Sequence, residues 1–359
     1  MTSGSAEPAP ARGVSVGGHK VIGAKHVRDG RPCQDDIAVV RAGPIAVVAV
    51  ADGHGSSIHA EIGARIAVEV ASEQLLAFAA SLGTEHRADA RAVHGLAQDP
   101  FRRLLVREWA RRVREHAGAD DVPLKDYGST LLFALLTPEF LLLGQLGDGD
   151  LIVVDGGGAV SRPLPIDPRC FGEETSSLCL PDAATSLLVL AMPVPDEETL
   201  LLISTDGYGK SYQSDADFER IGPDYLAMVR EIGMSGVSEN LEEFLTAVTT
   251  GGSGDDVALG LVYLPPVPTQ PIDVSDLPAA ADIAIGESQA VNRDVSPAAD
   301  ASQGAGVSRS ADVSPAAGVS PSADVSPAAG VSPAAEVSSA PNVSPAPEAS
   351  GPRSTGGST

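Results

Sequence analysis

Acidic residues stand at the ends of several short apolar runs in this sequence, and carboxylates in such positions can do chemistry. Asp52 follows one run in AVADGHGSS (49–57). The pattern recurs in three further segments: LLLGQLGDGD (141–150), LLLISTDGYG (200–209) and GSGDDVALGLVYL (252–264). On its own, Asp52 could simply end a strand ahead of a helix capped by Ser56 or Ser57. The recurrence of the pattern in one chain favours a shared site instead.

Strand ends project carboxylates into loops, so Asp52, Asp206 and Asp255 can meet at one edge of stacked sheets although they are distant in sequence. Clustered carboxylates repel one another unless a positive charge lies between them. Hard divalent ions such as Mg²⁺ or Mn²⁺ take oxygen ligands and retain waters. These residues therefore predict a site for such ions.

The elements that must position these acids lie between residues 13 and 264. Strands are predicted where β-branched or leucine-rich runs are bounded by Gly, Pro or Asp. These runs are 36–41, 45–51, 130–136, 140–146, 151–155, 187–191, 200–204 and 257–263. Because strands and helices come in groups rather than in strict alternation, we expect antiparallel sheets covered by helices, an α+β fold.

Three helices are predicted between the strands. The first has an apolar face with a residue at every fourth position, at Ile58, Ile62, Ile66 and Val70. The second runs from about 100 to 116 and repeats that spacing at Phe101, Leu105, Trp109 and Val113. The third is a short helix near 239–249.

The second helix is also rich in arginine, which is unusual in an acidic chain. Its arginines are Arg102, Arg103, Arg107, Arg111, Arg112 and Arg114. Such a charged face is usually only solvated. The alternative is a docking surface for acidic phosphopeptides.

Composition limits the possible functions. The chain has 359 residues and a formal net charge of −24, which argues against binding to nucleic acid. The sequence shows neither a secretory signal nor an apolar run of the roughly 20 residues that cross a bilayer. We therefore expect a cytoplasmic protein without membrane partners, and a monomer.

The cysteines Cys33, Cys170 and Cys179 lack metal-ligand spacing and are predicted to be reduced thiols.

Composition changes after residue 264 and divides the chain into a flexible N-terminus (1–12), a globular domain (13–264) and a tail (265–359). In the tail, valine returns every six residues from Val307 to Val343, usually followed by Ser-Pro. Units this short, each with a proline, cannot bury a face as a repeat domain does. We expect a disordered tail with polyproline II character, which serves either as a solvated spacer or as a docking or phosphorylation segment.

Over residues 13–264 the sequence resembles the metal-dependent protein phosphatases of type 2C, most closely the bacterial branch with CQD near its start. The resemblance rests on six segments in the family's order and approximate spacing: GRPCQDD, VAVADGHG, YGSTLLFALL, GQLGDGDL, LLISTDGYG and GSGDDVALGL. It implies a sandwich of two antiparallel β-sheets flanked by helices, with two Mn²⁺ or Mg²⁺ ions at one edge.

The resemblance also implies roles for individual residues. Asp52 would bridge both ions, and Asp206 and Asp255 would complete the protein ligands of the first. Gly53 would offer its carbonyl oxygen to the second ion. Asp35 would hold waters around that second ion.

The same resemblance implies a mechanism. A hydroxide that bridges the ions would attack the phosphorus of a phosphoserine or phosphothreonine monoester. His54 would be the general acid to the leaving oxygen, or else a structural histidine of the turn. Gly128 and Ser129 are interpreted as structural, at the start of a strand near the site. Asp256 would pair electrostatically or bind nothing.

The chain departs from the family pattern at several positions. Gln34 stands where a glutamate is frequent, and Gly30 stands where many members have a phosphate-binding arginine. The phosphate contact could then come from one of three nearby cations, Arg28, Arg31 or His26. Lys210 replaces an acid that helps bind a third metal in many bacterial relatives, together with an aspartate matched by Asp148. We expect Lys210 to oppose a third ion, either by pairing with Asp148 or from a position in solvent.

These observations predict a metal-dependent protein phosphatase whose substrates are phosphorylated proteins, targets of a Ser/Thr kinase. One alternative is a catalytically weak relative that regulates a phosphoprotein or a kinase by binding it. Another is an enzyme that hydrolyses small phosphoesters.

Truncation after residue 268 is predicted to leave peptide hydrolysis and the melting temperature nearly unchanged. A Pro/Ala/Ser-rich segment without aromatic residues has too little apolar surface to complete a core. Calorimetry and phosphate release from a phosphothreonine peptide check this. A large fall in either quantity would show that the tail packs on the catalytic domain.

Overall fold

The acidic strand ends lie on two stacked antiparallel sheets. The computed structural model describes residues 13–165 and 175–268, and the predicted N-terminal segment and most of the predicted tail lie outside these ranges. The strands are β1 (Ser15–Val21), β2 (Asp35–Ala42), β3 (Ile45–Asp52), β4 (Leu131–Leu136), β5 (Phe140–Leu146), β6 (Asp150–Asp155), β7 (Val160–Ser161), β8 (Leu188–Pro193), β9 (Thr199–Ser204) and β10 (Val257–Leu264). The first sheet has the order β1-β10-β9-β6-β7 and the second the order β2-β3-β4-β5-β8.

The helices flank the sheets. They are α1 (Ala24–Asp29), α2 (Ala60–Ser81), α3 (Thr84–Arg87), α4 (Ala90–Leu96), α5 (Arg102–Ala117), α6 (Ala183–Ser186), α7 (Asp206–Gly209), α8 (Asp215–Glu219) and α9 (Ile221–Gly251). A π-helical turn, Ala97–Phe101, leads into α5, and a 3₁₀ turn, Leu124–Tyr127, precedes β4. Together with the sheets they form the α-β-β-α sandwich that the sequence predicts.

The stacking of the sheets explains the continuous apolar runs. In β3, Val48 and Val50 point into the core between the sheets, whereas Val47, Ala49 and Ala51 belong to the core under the helices. A strand that is covered on both faces needs apolar residues at successive positions, so it does not alternate with polar residues. All eight predicted strands are present, each within two residues of its predicted bounds.

The outer layers bury one helix face each. Helices α2 and α5 cover the second sheet, and Trp109 lies fully buried between them with its Nε1–H donated to Gly63 O at 3.1 Å. Helix α9 covers the first sheet through Val237, Leu241 and Leu245. The apolar spacing predicted for the second helix is confirmed, because all four of its residues are buried.

Two predictions about elements were wrong in part, and one strand was missed. Ile58 precedes α2 and is exposed, although its spacing placed it on the buried face of that helix. The short helix near 239–249 is the end of the much longer α9, which is interrupted at Gly233, a residue with φ of 72°. Strand β1 was missed because Gly17 and Gly18 hide its pattern; a Cβ at Gly17 would lie 2.3 Å from Ser238 Oγ.

The arginines of the second helix are largely paired. Arg111 binds Glu108 and Glu115, and Arg112 binds Glu73. Arg103 pairs with Asp99. The remaining partnered arginines, Arg102 and Arg114, donate to backbone carbonyls. These contacts favour a solvated, self-paired face over a docking surface for phosphopeptides.

Two of the cysteines are free thiols, as predicted. Cys33 and Cys179 form no disulfide, and Cys170 lies outside the described residues. Burial, and then the charges of Asp256 and Asp35, raise the pKa of Cys33 to about 12, so it stays protonated.

In the described part of the chain, no helix has the length and apolarity needed to cross a membrane.

Replacement of Trp109 by alanine is predicted to lower the free energy of unfolding by about 3 to 5 kcal/mol, because the indole is fully buried and the change leaves a cavity. Leu104→Ala on the exposed side of the same helix is the control and should cost much less. Urea unfolding of the two variants checks this. A loss below about 1 kcal/mol for Trp109→Ala would contradict the packing described.

Candidate metal centre

Two carboxylates meet at one end of the second sheet. Asp35 opens β2 and Asp52 closes β3, and the antiparallel register pairs them directly. The two carboxyl groups therefore lie on neighbouring strands at the same end of the sheet. The hydroxyl of Thr205 donates to Asp35 Oδ2 at 2.6 Å, and the Asp52 N–H donates to Thr130 Oγ1 at 2.9 Å. Strand pairing therefore fixes both acids.

Two further carboxylates reach the same end from the first sheet. Asp206 begins α7 directly after β9, and Asp255 lies two residues before β10. Gly207 lies in close contact with the loop that carries Asp255. A Cβ at Gly207 would be 2.0 Å from Asp256 O and 3.2 Å from Asp255 Cβ. A glycine at this position lets the turn that carries Asp206 pack against the loop that carries Asp255.

The carboxylates at this end of the sheets are buried, repel one another and lack enough positive charge nearby to balance them. The acid cluster is defined here as Asp35, Asp52, Asp148, Asp206 and Asp255. Burial, and then the neighbouring carboxylates, raise the pKa of Asp52 well above its usual range. Burial also raises the pKa of Asp35, although the Thr205 hydrogen bond opposes the shift. For Asp206, burial and the charge of Asp148 raise the pKa to about 6.

Lys210 places an ammonium group beside the acid cluster. Its Nζ is hydrogen-bonded to Asp206 and lies 4.0 Å from Asp148 Oδ2, while 57% of the side chain is exposed. Asp148 also accepts a hydrogen bond from the Thr175 hydroxyl at 3.0 Å. The sequence left open a pairing with Asp148 or a position in solvent. The structure shows Lys210 bonded chiefly to Asp206, with Asp148 at the outer limit of an ion pair.

The loop after β3 holds the residues predicted to act with the acids. Gly53 must be glycine because a Cβ would lie 2.4 Å from Ala60 O, and its N–H donates to Gln34 O at 3.0 Å. His54 follows with its N–H donated to Gly128 O. Burial lowers the pKa of His54 although the charge of Asp148 opposes this, so the ring is neutral at pH 7 in this form of the protein.

The three candidate phosphate contacts differ in position. His26 is buried and binds Asp256 at 2.7 Å, and Arg28 is exposed beside Asp29. Arg31 points to the loop after β3, where its Nη2 donates to Gly55 O at 3.2 Å and to Gln34 Oε1 at 3.1 Å. Arg31 is therefore the cation of the three that reaches the loop carrying His54. The Gln34 side chain is engaged with Arg31.

Asp256 has a role that the sequence left open. Its buried carboxylate accepts hydrogen bonds from the N–H groups of Gly23 and Gln34, both at 2.6 Å, and binds the His26 ring. It ties the segment that leads into Asp35 to the strand that follows Asp255. The adjacent Asp-Asp pair and a histidine in the N-terminal segment were visible in the sequence, but their contact depends on the tertiary fold.

Thr205 is the other residue that sequence reasoning missed. Its hydroxyl donates to Asp35, and it accepts a hydrogen bond from Ala258 N at 2.8 Å. It joins an acid of the second sheet to two strands of the first. The signal available was its position directly before Asp206.

The donor set suits hard divalent ions because it offers carboxylate and carbonyl oxygens. In the described segments, no three His, Cys, Asp or Glu side chains are already gathered at metal-ligand spacing. Lys210 supplies the positive charge beside Asp206 instead. The residues fit a cation in chemistry and charge, and binding it requires Lys210 to release Asp206.

Comparisons with known proteins match the chain to one family and to several solved structures. The family model described as Protein phosphatase 2C matches residues 22–246. Among solved structures, a bacterial serine phosphatase is 12% identical, with 72% of this chain and 100% of that chain covered and a TM-score of 0.50. The serine/threonine phosphatase of S. agalactiae is 14% identical, with 70% and 99% covered and a TM-score of 0.49.

The catalytic domain of the serine threonine protein phosphatase PstP, solved in complex with two manganese ions, is 15% identical. Here 70% of this chain and 98% of that chain are covered, with a TM-score of 0.46. Among curated proteins, none matches the chain in sequence.

We predict that the wild type binds two Mn²⁺ ions tightly and that Lys210→Asp gains a third. An ammonium group near a divalent ion is repulsive by roughly several kcal/mol at contact distance with an effective dielectric near 20. Titration calorimetry and anomalous diffraction measure the number of ions. Arg107→Asp on α5 makes the same charge change on an exposed helix face and should keep two. A third ordered Mn²⁺ beside Asp148 in the wild type would contradict the prediction.

Proposed function

The chain belongs to the protein phosphatase 2C family, and on this premise we propose that it is a metal-dependent phosphatase for phosphoserine and phosphothreonine in proteins. The observation that carries the proposal is the acid cluster. Both sheets contribute buried carboxylates whose pKa values are raised by burial and by one another. A fold gains nothing in stability from such an arrangement, so a bound cation is the economical reason for it.

Two Mn²⁺ or Mg²⁺ ions, when bound, would activate a water molecule as the nucleophile and neutralise charge that would repel a phosphate dianion. Asp52 would help to hold both ions. Asp206 and Asp255 would hold the first ion, and the Gly53 carbonyl would hold the second. Asp35 would orient waters around the second ion while Thr205 fixes its carboxylate.

His54 is proposed as the acid that protonates the leaving seryl or threonyl oxygen. Its lowered pKa makes the protonated ring a ready donor, and a phosphate dianion beside it would favour uptake of the proton. Asp148 also favours the charged ring. The backbone bond from His54 N to Gly128 O holds the residue in the turn.

Arg31 is proposed to bind the phosphoryl group in place of the arginine absent at Gly30. Its guanidinium already lies against the Gly55 carbonyl, within the loop that carries Gly53 and His54. Arginine suits this task because its planar fork of donors matches phosphate oxygens. Arg28 is oriented to Asp29 on the surface and is the poorer candidate.

The finer features of the proposal rest on sequence. Cys33, Gln34 and Asp35 form the CQD motif of the bacterial branch, to which we propose that this chain belongs. The proposed substrates are proteins phosphorylated by a Ser/Thr kinase, hydrolysed by a monomer. The alternative of a catalytically weak regulator is less favoured, because both sheets still bring the acids together.

Asp52→Asn is predicted to reduce Mn²⁺-dependent release of phosphate from a phosphothreonine peptide by at least about 100-fold, since loss of a bridging carboxylate costs several kcal/mol of transition-state stabilisation. The matched control is Asp36→Asn, a neighbour of Asp35 whose carboxylate pairs with Lys20. It should keep most of the activity. The fold should survive both changes. Near-wild-type turnover in Asp52→Asn, with unchanged metal dependence, would remove the two-metal proposal, and a wild type without turnover would favour the regulator.

A further inference from the structure

Two exposed apolar side chains stand on the loops around His54. Ile58 has 70% of its surface exposed, the highest value among the large apolar residues that the structure describes as exposed. Leu180, in the loop before α6, is 43% exposed. Single exposed apolar residues are ordinary on a protein surface. A pair on neighbouring loops at the proposed active site calls for a reason.

Gly128 shows that these loops converge. A Cβ at Gly128 would lie 2.7 Å from His54 Cδ2, 2.9 Å from Ser57 Oγ and 3.3 Å from Cys179 Sγ. The distance from the His54 ring to the Cys179 sulfur is therefore at most 6.0 Å. Ile58 follows Ser57 directly, and Leu180 follows Cys179 directly.

Hydrogen bonds fix both loops in place. The Ser57 hydroxyl donates to Lys125 O at 2.7 Å and accepts from Gly128 N at 3.1 Å. On the other side, Leu178 N donates to Ser129 O at 2.9 Å, and Leu180 N donates to Ser177 O at 3.1 Å. The two apolar side chains are thus carried on backbone that is anchored to the same short segment, 125–129.

We propose that Ile58 and Leu180 form an apolar subsite that selects substrates with a large apolar residue within two positions of the phosphorylated serine or threonine. The proposal rests on the proposed function, which places the phosphoryl group beside His54. Successive Cα atoms of a bound peptide are about 3.8 Å apart, so side chains within two positions of the phosphorylated residue are close enough to reach these loops. An apolar side chain of the peptide next to the phosphorylated residue would cover Ile58 and Leu180. A charged side chain at that position would place its ionic group against them.

The test compares kcat/KM for three phosphothreonine peptides that differ only in the flanking residues, which are leucine, serine or glutamate. Wild type should prefer the leucine peptide over the serine peptide by roughly ten-fold, the discrimination typical of an apolar pocket. Ile58→Ser and Leu180→Ser should each reduce this preference to less than about three-fold. The control Ile232→Ser, on an exposed part of α9, should keep the full preference.

Hydrolysis of a small aryl phosphate separates this proposal from the proposed function, because that substrate has no flanking residues. It should be unchanged in Ile58→Ser and Leu180→Ser, and equal melting temperatures would show that both variants are folded. The subsite is overturned if wild type hydrolyses the aryl phosphate but does not prefer the leucine peptide, or if the preference persists in both variants. It is also overturned if the two variants change only self-association or vesicle binding. A wild type inactive on every substrate would instead overturn the proposed function.

Discussion

The repulsion among buried carboxylates is the interaction on which the site depends. Asp35 and Asp52 come from the second sheet, and Asp206 and Asp255 come from the segments beside the first. Folding brings them together against their mutual repulsion, so packing elsewhere must supply the compensating stability. The two faces of β3, both buried in apolar cores, are an example of where that stability arises. The site thus gathers negative charge that a cation can neutralise once Lys210 releases Asp206.

Several neutral and cationic groups hold the acids without neutralising them fully. Thr205 bonds Asp35, the buried carboxylate of Asp256 fixes the segment before β2, and Lys210 bonds Asp206. Lys210 is half exposed, so it can leave Asp206 to solvent at small cost when a cation takes its place. The glycines of the site act by allowing close approach: Gly53 and Gly207 admit carbonyl oxygens where a Cβ would collide. The site thus combines rigid backbone with one replaceable cation.

The sequence predicted what depends on local pattern. Continuous apolar runs bounded by turn residues predicted the eight strands. The acids at the ends of these runs predicted that carboxylates would meet in the acid cluster. Prediction from sequence failed where a tertiary contact overrides the local sequence pattern. Gly17 of β1 is required by packing against α9, the interrupted α9 is longer than its apolar pattern indicates, and Ile58 leaves the helix whose spacing it continues. The partner of Lys210, the contacts of Asp256 and the position of Arg31 could not be chosen from sequence, because each involves a residue far along the chain or an orientation of a loop.

The most direct test of the account is the melting temperature of the protein with and without Mn²⁺ at pH 5 and pH 7.5. Because the folded-state pKa values of Asp35, Asp52 and Asp206 are raised, the stability linked to these groups is fully present below about pH 4 and is lost as the pH rises through about 6 for Asp206. The metal-free protein should therefore melt at a lower temperature at pH 7.5 than at pH 5, with a smaller difference in Asp52→Asn, and Mn²⁺ should stabilise the wild type more at pH 7.5. A metal-free melting temperature that does not fall between the two pH values, together with no stabilisation by Mn²⁺, would contradict the account.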